Sequence, residues 1–454
     1  MQKIWAKQAL TGQGWRRDVL VSKGADGRIE TVQAGVDPEG IRTAILLPAP
    51  ANSHSHAFQR AMAGLTEARG DDPRDTFWTW RRLMYRFLEA LTPDQVQAIA
   101  AFVQMEMLEA GFGANVEFHY LHHRPDGRPY DRVGEMSVRI AAAARESGIG
   151  LTLLPVLYSH GGCDGRALGP GQVRFGNDVE RFARLLDAAG EGLKGLPKDV
   201  RLGVAAHSLR AVPVDGLRAA VDLASNGPFH LHLAEQTAEV GEVQAAWGQR
   251  PVEWLLDNAD VDANWCLIHC TQMLGHETDG LAATGAVAGL CPITESNLGD
   301  GIFDGVRWMN AGGKISIGSD SNILISLHEE LRVLDHSQRL RDRSRAALAS
   351  PEKSAGRRVF EAAASGGAQA AGRGAGTIAP GAWADLLALD GTHVDLEGKE
   401  GDALLDAFVF AGRDIMVRDV WSAGRHLVRD GTHVRRAAIA GAYRRAVADL
   451  KDAL

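Results

Sequence analysis

The stretch Phe229-His230-Leu231-His232-Leu233-Ala234-Glu235 is a short apolar run that ends in a histidine and a carboxylate. Taken with its counterparts along the chain, it belongs to a set of runs whose apolar character is continuous rather than alternating, as in parallel strands covered on both faces. Similar runs, rich in Val, Ile and Leu, occupy 43–48, 114–120, 150–158, 201–206, 265–270, 286–291 and 314–317. Segments long enough for crossover helices lie between them. Glu135–Ser147 and 178–189, for example, interleave charged residues with Ala, Leu and Val at helical spacing. Eight strand–helix units predict an α/β fold of the (β/α)8 type, a TIM-like barrel. A doubly wound sheet has the same pattern, because strand order is not encoded in spacing alone.

The ends follow another rule. Residues 4–10, 19–22 and 29–34, with a turn at 24–27, and residues 385–389, 409–410, 417–420 and 426–428 predict short strands. A helix is expected over 440–450. Terminal strands flanking a barrel pair most simply with each other. The expected organisation is a small β-sandwich domain from 1–48 plus 372–454, and a metal-dependent barrel over 49–371.

Composition narrows the function. In 454 residues, 45% are hydrophobic and 23% charged, which is ordinary for a folded chain, and the net charge is -8. A nucleic-acid partner would call for a basic excess. No apolar run reaches the ~18–20 residues of a membrane helix. Residues 1–17 hold no continuous apolar segment of the secretory kind. Four cysteines are too few for a disulfide scaffold and predict free thiols in a reducing cytoplasm. No Gly-x-Gly-x-x-Gly links a strand to a helix, so a dehydrogenase is not indicated.

In such a barrel the functional face is the C-terminal end of the strands. The first run is followed by Asn52-Ser53-His54-Ser55-His56, whose two histidines fall at i and i+2 and share one side. His232 closes the fifth run, with Glu235 just beyond. His269 lies in the sixth, and the eighth ends Gly318-Ser319-Asp320-Ser321. A lone strand histidine is commonly a core residue. His-x-His, His, His and Asp at the ends of strands one, five, six and eight together predict one metal centre. Imidazole and carboxylate donors suit Zn2+, while Fe2+ or Mn2+ fills the same geometry. His230 sits deeper in its strand and reads as structural, as does the loop pair His122 and His123.

The chain resembles the amidohydrolase superfamily, in its mononuclear deaminase branch, and within it the formimidoylglutamate deiminases. The resemblance rests on His54-Ser55-His56-Ala57-Phe58-Gln59-Arg60-Ala61-Met62-Ala63-Gly64, Phe77-Trp78-Thr79-Trp80-Arg81, Glu117-Phe118-His119-Tyr120, His207-Ser208-Leu209-Arg210, Thr294-Glu295-Ser296-Asn297-Leu298-Gly299-Asp300-Gly301 and Gly318-Ser319-Asp320-Ser321. Asn322 departs from it, standing where some relatives have histidine. The resemblance implies one divalent metal ion held by His54, His56, His232 and Asp320. It implies hydrolysis of the formimino C–N bond of N-formimino-L-glutamate to N-formyl-L-glutamate and ammonia. Glu235 would be the proton shuttle, His269 would orient the attacking water or serve as a fifth ligand, and Asp320 would add general-base help. Gln59, Arg81, Tyr120, His207 and Arg210 would contact a dicarboxylate substrate, the arginines through their planar forks. Trp78 and Trp80 would pack in a lid over the pocket. A homodimer is expected by analogy. The alternatives are a deaminase acting on a purine, pyrimidine or triazine ring and a non-catalytic barrel that only binds.

Overall fold

The computed structural model of the chain describes residues 2–67 and 77–451, apart from the side chains of 77–79 and 414. The side chain of Trp78 therefore lies outside the described residues. Eight parallel strands close into a barrel: β1 (Ala51–Asn52), β2 (Ala114–His119), β3 (Gly150–Leu157), β4 (Val204–Ser208), β5 (Phe229–Leu233), β6 (Trp265–His269), β7 (Val287–Leu290) and β8 (Lys314–Ile317). Closure is explicit in the pairing of Ile317 with Asn52, which excludes an open doubly wound sheet. Almost every strand residue is buried, because helices cover the outside while side chains fill the inside.

The run at 43–48 is not the first barrel strand. It lies in Ile41–Pro48, which pairs in parallel with Gln2–Thr11 and antiparallel with Leu386–Leu389. Pro48 and Pro50 lack the N–H that a ladder needs, so pairing breaks there and the chain enters the barrel at Ala51. The terminal strands form one continuous sheet. Its order is Thr432–His433, Arg425–Arg429, Val417–Ser422, Leu386–Leu389, Ile41–Pro48, Gln2–Thr11, Gly14–Lys23 and Ile29–Gln33. Its centre is the seam where Leu47 from the N-terminal half faces Leu387 from the C-terminal half. One face encloses a small core of Ile4, Val19, Val21, Leu386 and Trp421.

Residues 409–410 are likewise not a strand. They belong to Ala407–Ala411, a wide helical turn that continues the helix Asp402–Asp406. The apolar residues Leu404, Leu405, Phe408 and Val409 repeat at helical spacing and are buried. The closing helix runs from Arg436 to Lys451 and lies on Pro93–Glu109, with Tyr443 stacked on Phe102 at 4.0 Å between ring centroids.

A buried ion network fastens the sheet to the barrel. Arg373 donates to Asp385 Oδ2 at 2.6 Å and to Asp199 Oδ2 at 2.9 Å, and Arg425 reaches the same Asp199 oxygen at 2.7 Å. Asp199 lies just ahead of β4, whereas Asp385 directly precedes a strand of the terminal sheet and Arg425 begins another. Asp199 is itself buried, which opposes its ionisation, but the two guanidinium groups outweigh that and hold its carboxyl down at about 2. Arg373→Met leaves two buried carboxylates short of a partner and is expected to cost about 3–5 kcal/mol, read as a lower urea midpoint. Because the folded-state value of Asp199 is depressed, its contribution is present above the unfolded value near 3.9 and is lost as pH falls toward about 2. Asp199→Asn should accordingly flatten the fall in stability over that acid range, measured by urea unfolding at successive pH values.

Candidate active site at the barrel mouth

The ends of β1 and β8 are zipped together beyond their last ladder residues. Asp320 N donates to the His54 carbonyl at 3.0 Å, and His56 N donates back to the Asp320 carbonyl at 3.0 Å. Gly318 permits this approach, since a Cβ there would stand 2.6 Å from the Cβ of His54. Asn322 locks the junction. Its amide Nδ2 donates to Ser55 Oγ, the His56 carbonyl and the Asp320 carbonyl at 3.1–3.2 Å, while its Oδ1 accepts from Ser319 Oγ at 2.6 Å. The departure at 322 is thus a buried brace that takes no place in the cavity lining.

The zip brings three of the selected residues to one point. Asp320 Oδ1 lies 3.3 Å from His54 Nε2 and 3.2 Å from His56 Nε2. From β5, His232 Nε2 comes within 3.1 Å of His54 Nε2. The four ligand atoms all lie within 4.8 Å of one another. Two of the rings are oriented from behind: His56 Nδ1 meets the Phe118 carbonyl at 3.0 Å, and His232 Nδ1 meets the His207 carbonyl at 2.9 Å. A carbonyl only accepts, so these Nδ1 atoms carry the proton and their Nε2 atoms present lone pairs inward. Burial lowers the pKa of His54, His56 and His232, most strongly for His54 and His232, and so favours the neutral rings a cation requires. Neutral imidazoles whose Nε2 atoms face each other and one carboxylate, all of them buried, fit a divalent borderline cation.

The backbone here is unusual. Ala234, His269, Cys270, Asp320 and Asn322 have φ of 50°, 71°, 52°, 44° and 56°, a region costly for residues other than glycine. The left-handed turns re-aim the side chains just where strands β5, β6 and β8 end.

Glu235 and His269 stand beside the cluster. Glu235 is buried, its backbone N–H donates to Glu239 Oε2 at 3.0 Å, and burial raises its carboxyl pKa. His269 Nε2 is 3.9 Å from Glu235 Oε1, and its Nδ1 is 3.2 Å from Glu295 Oε1. Burial opposes charge on His269, but Glu235, Glu295 and Asp320 outweigh it and raise the ring to about 10. His269 does not fall within the four-atom cluster; it groups instead with Cys291 and Glu295. Burial holds the Cys291 thiol protonated.

All five selected substrate contacts line one cavity with these groups: Gln59, Arg81, Tyr120, His207 and Arg210. Gln59 Nε2 donates to the Tyr120 hydroxyl at 3.0 Å, and Arg81 Nη2 donates to the Tyr158 hydroxyl at 3.1 Å. Burial, with the charges of Arg210 and Arg81, keeps His207 neutral. Burial opposes charge on Arg210, yet Glu239 and its acidic neighbours keep the guanidinium ionised. Trp80 also lines the cavity. His230 donates from its ring to, and is held by, the Ala370 carbonyl at 2.8 Å, while His122 and His123 are buried on backbone carbonyls.

Sequence reasoning missed Tyr158, Tyr85 and Phe175 in the cavity wall, and Glu295 behind it. Tyr158 ends the third apolar run at the same level as the histidines, which is a usable signal. Phe175 sits in a long loop with no pattern to mark it.

Comparison with known proteins agrees with this architecture. The model of the Amidohydrolase family matches residues 45–427, and that of "Formimidoylglutamate deiminase HutF, N-terminal domain" matches residues 1–41. A formimidoylglutamate deiminase of Pseudomonas aeruginosa is 46% identical over 456 residues, covering 100% of both chains. A crystal structure of an amidohydrolase from Brucella melitensis superposes with a TM-score of 0.95 at 47% identity, covering 99% of this chain and 100% of that one. An adenosine deaminase from Xanthomonas campestris, crystallised with bound zinc, shares the fold at a TM-score of 0.82 and 20% identity, covering 99% and 98%. With the family model spanning most of its length and a relative of this identity aligned from end to end, the chain belongs to the amidohydrolase family.

Proposed function

We propose that the chain hydrolyses the formimino C–N bond of N-formimino-L-glutamate, giving N-formyl-L-glutamate and ammonia. One observation carries the reading: two arginines, Arg81 and Arg210, line the same cavity as the His54, His56, His232 and Asp320 cluster. A substrate with two carboxylates and one amidine carbon matches two guanidinium groups set against a hydrolytic centre. The full-length relative from Pseudomonas aeruginosa carries the name of this activity, which supports the same assignment.

Each residue has a task in this reading. Arg81 and Arg210 hold the carboxylates, with Gln59, Tyr120 and His207 fixing the chain between them. His54, His56, His232 and Asp320 hold the cation. When bound, a divalent ion of the zinc type supplies a water acidic enough to attack at neutral pH. Glu235 takes a proton from the attacking water and delivers it to the imino nitrogen, giving a tetrahedral carbon that bears an amino and a hydroxyl group. It then moves the hydroxyl proton to that nitrogen, so that the C–N bond breaks, ammonia leaves and the oxygen stays as the formyl carbonyl. Burial raises its pKa, the direction that favours holding and returning a proton. His269 directs Nε2 toward the reacting oxygen and steadies the tetrahedral intermediate. Asp320 would assist as a base.

The proposal extends to zinc as the resident ion, since three imidazoles and one carboxylate are its preferred donors. It extends to a reducing cytoplasm, which four unpaired cysteines suit. It also divides the chain at 49 and 371, since every described residue lining the cavity falls between.

Ammonia release tests the assignment. Formiminoglutamate should yield ammonia, and guanine, other purines and N-formylglutamate should not; ammonia from a purine alone would reject it. Arg81→Met and Arg210→Met should each lower kcat/KM about 10- to 100-fold, the worth of a hydrogen bond to a charged group. Elemental analysis should find about one divalent cation per chain, and His232→Asn or Asp320→Asn should reduce it to a trace while the fold survives.

A further inference from the structure

We propose that Glu295 is a positioning residue that orients His269, holding Nδ1 as the donor so that Nε2 faces the reaction cavity. The inference rests on the function proposed above and adds a residue to which no role has been given. His269 lines the cavity; Glu295 does not. Glu295 therefore acts through the imidazole and touches no substrate. Its Oε1 lies 3.2 Å from His269 Nδ1, on the side of the ring away from Glu235, and accepts the Cys291 backbone N–H at 2.8 Å.

The second bond fixes the carboxylate. Glu295 sits in the first turn of the helix Pro292–Leu298 and folds back onto Cys291, the residue ahead of that helix. The turn is tied to the metal-site strand as well, because Thr294 Oγ1 contacts Ser321 Oγ at 2.9 Å and the Ser319 carbonyl at 3.3 Å. One helical turn thus spans the ends of β6 and β8 and sets His269 against Asp320.

His269 needs such a partner. Its φ of 71° removes it from ordinary strand geometry, so the strand does not dictate where the ring points. A carboxylate at Nδ1 also makes that nitrogen a donor whether the ring is neutral or charged, and so fixes the plane and direction of the imidazole. This is the orienting task that the aspartate performs in hydrolytic triads. Burial of Glu295 strengthens the interaction, since its charge is largely screened from water.

Kinetics and spectroscopy on the full-length protein test the role. Glu295→Gln should lower kcat about 10- to 100-fold, leave KM within about twofold and leave the metal content unchanged. In a His269→Asn background the same substitution should cost less than about twofold, because the residue it acts through is gone. An equal loss in both backgrounds would mean a purely structural residue and would overturn the proposal. Imidazole nitrogen NMR of 15N-histidine-labelled protein reads the ring without substrate. The His269 Nδ1–H signal, identified by its absence from His269→Asn, should be lost to exchange or displaced in Glu295→Ala. An unchanged His269 spectrum would overturn the proposal too. Wild-type protein that released no ammonia from formiminoglutamate would reject the functional reading alone, leaving the spectrum to decide the role of Glu295.

Discussion

Three buried imidazoles and a carboxylate press against one another where β1, β5 and β8 end. Withdrawing that many polar groups from water is costly unless something binds them together. Much of the surrounding structure serves this convergence. The backbone zip between His54, His56 and Asp320 sets the spacing, Asn322 braces it, and the carbonyls of Phe118 and His207 decide which nitrogens face inward. Left-handed turns at Ala234, His269 and Asp320 add strain of about 1–3 kcal/mol each, retained only where neighbouring contacts outweigh it.

The cavity around the cluster is a balance of charge. Arg81 and Arg210 bring two cations, set near Glu235, Glu239 and Asp320. Arginine stays ionised under burial, whereas carboxylates respond to it, and the upward shift of Glu235 follows from that difference. The same physics operates far from the cavity. At Asp199, two guanidinium groups overcome burial and hold the carboxyl ionised, joining the terminal sheet to the barrel. Burial pushes both acids up; the two guanidinium groups outweigh it at Asp199, whereas burial prevails at Glu235.

Much of this was legible in the residues. Parallel strands covered on both faces leave continuous apolar runs, and seven of the eight runs fall on barrel strands. The i, i+2 histidines and the polar residues at strand ends show because their position breaks an apolar pattern. The run at 43–48 misled because a central strand of the terminal sheet is as buried as a barrel strand; the two prolines after it were the better guide. Residues 409–410 misled because two apolar residues fit either periodicity. Asn322 and Glu295 were harder. Each acts by hydrogen bonds made across the fold, and neither spacing nor composition records such partners. Arg81 and Arg210 became meaningful only within stretches that resemble a family, since an isolated arginine carries no positional signal.

The central claim is that these scattered side chains hold a single ion. Anomalous diffraction at a transition-metal edge, from crystals of the full chain, tests it most directly. The account predicts one peak about 2.0–2.2 Å from His54 Nε2, His56 Nε2, His232 Nε2 and Asp320. A peak placed elsewhere, or none after the protein has been supplied with zinc, would contradict it.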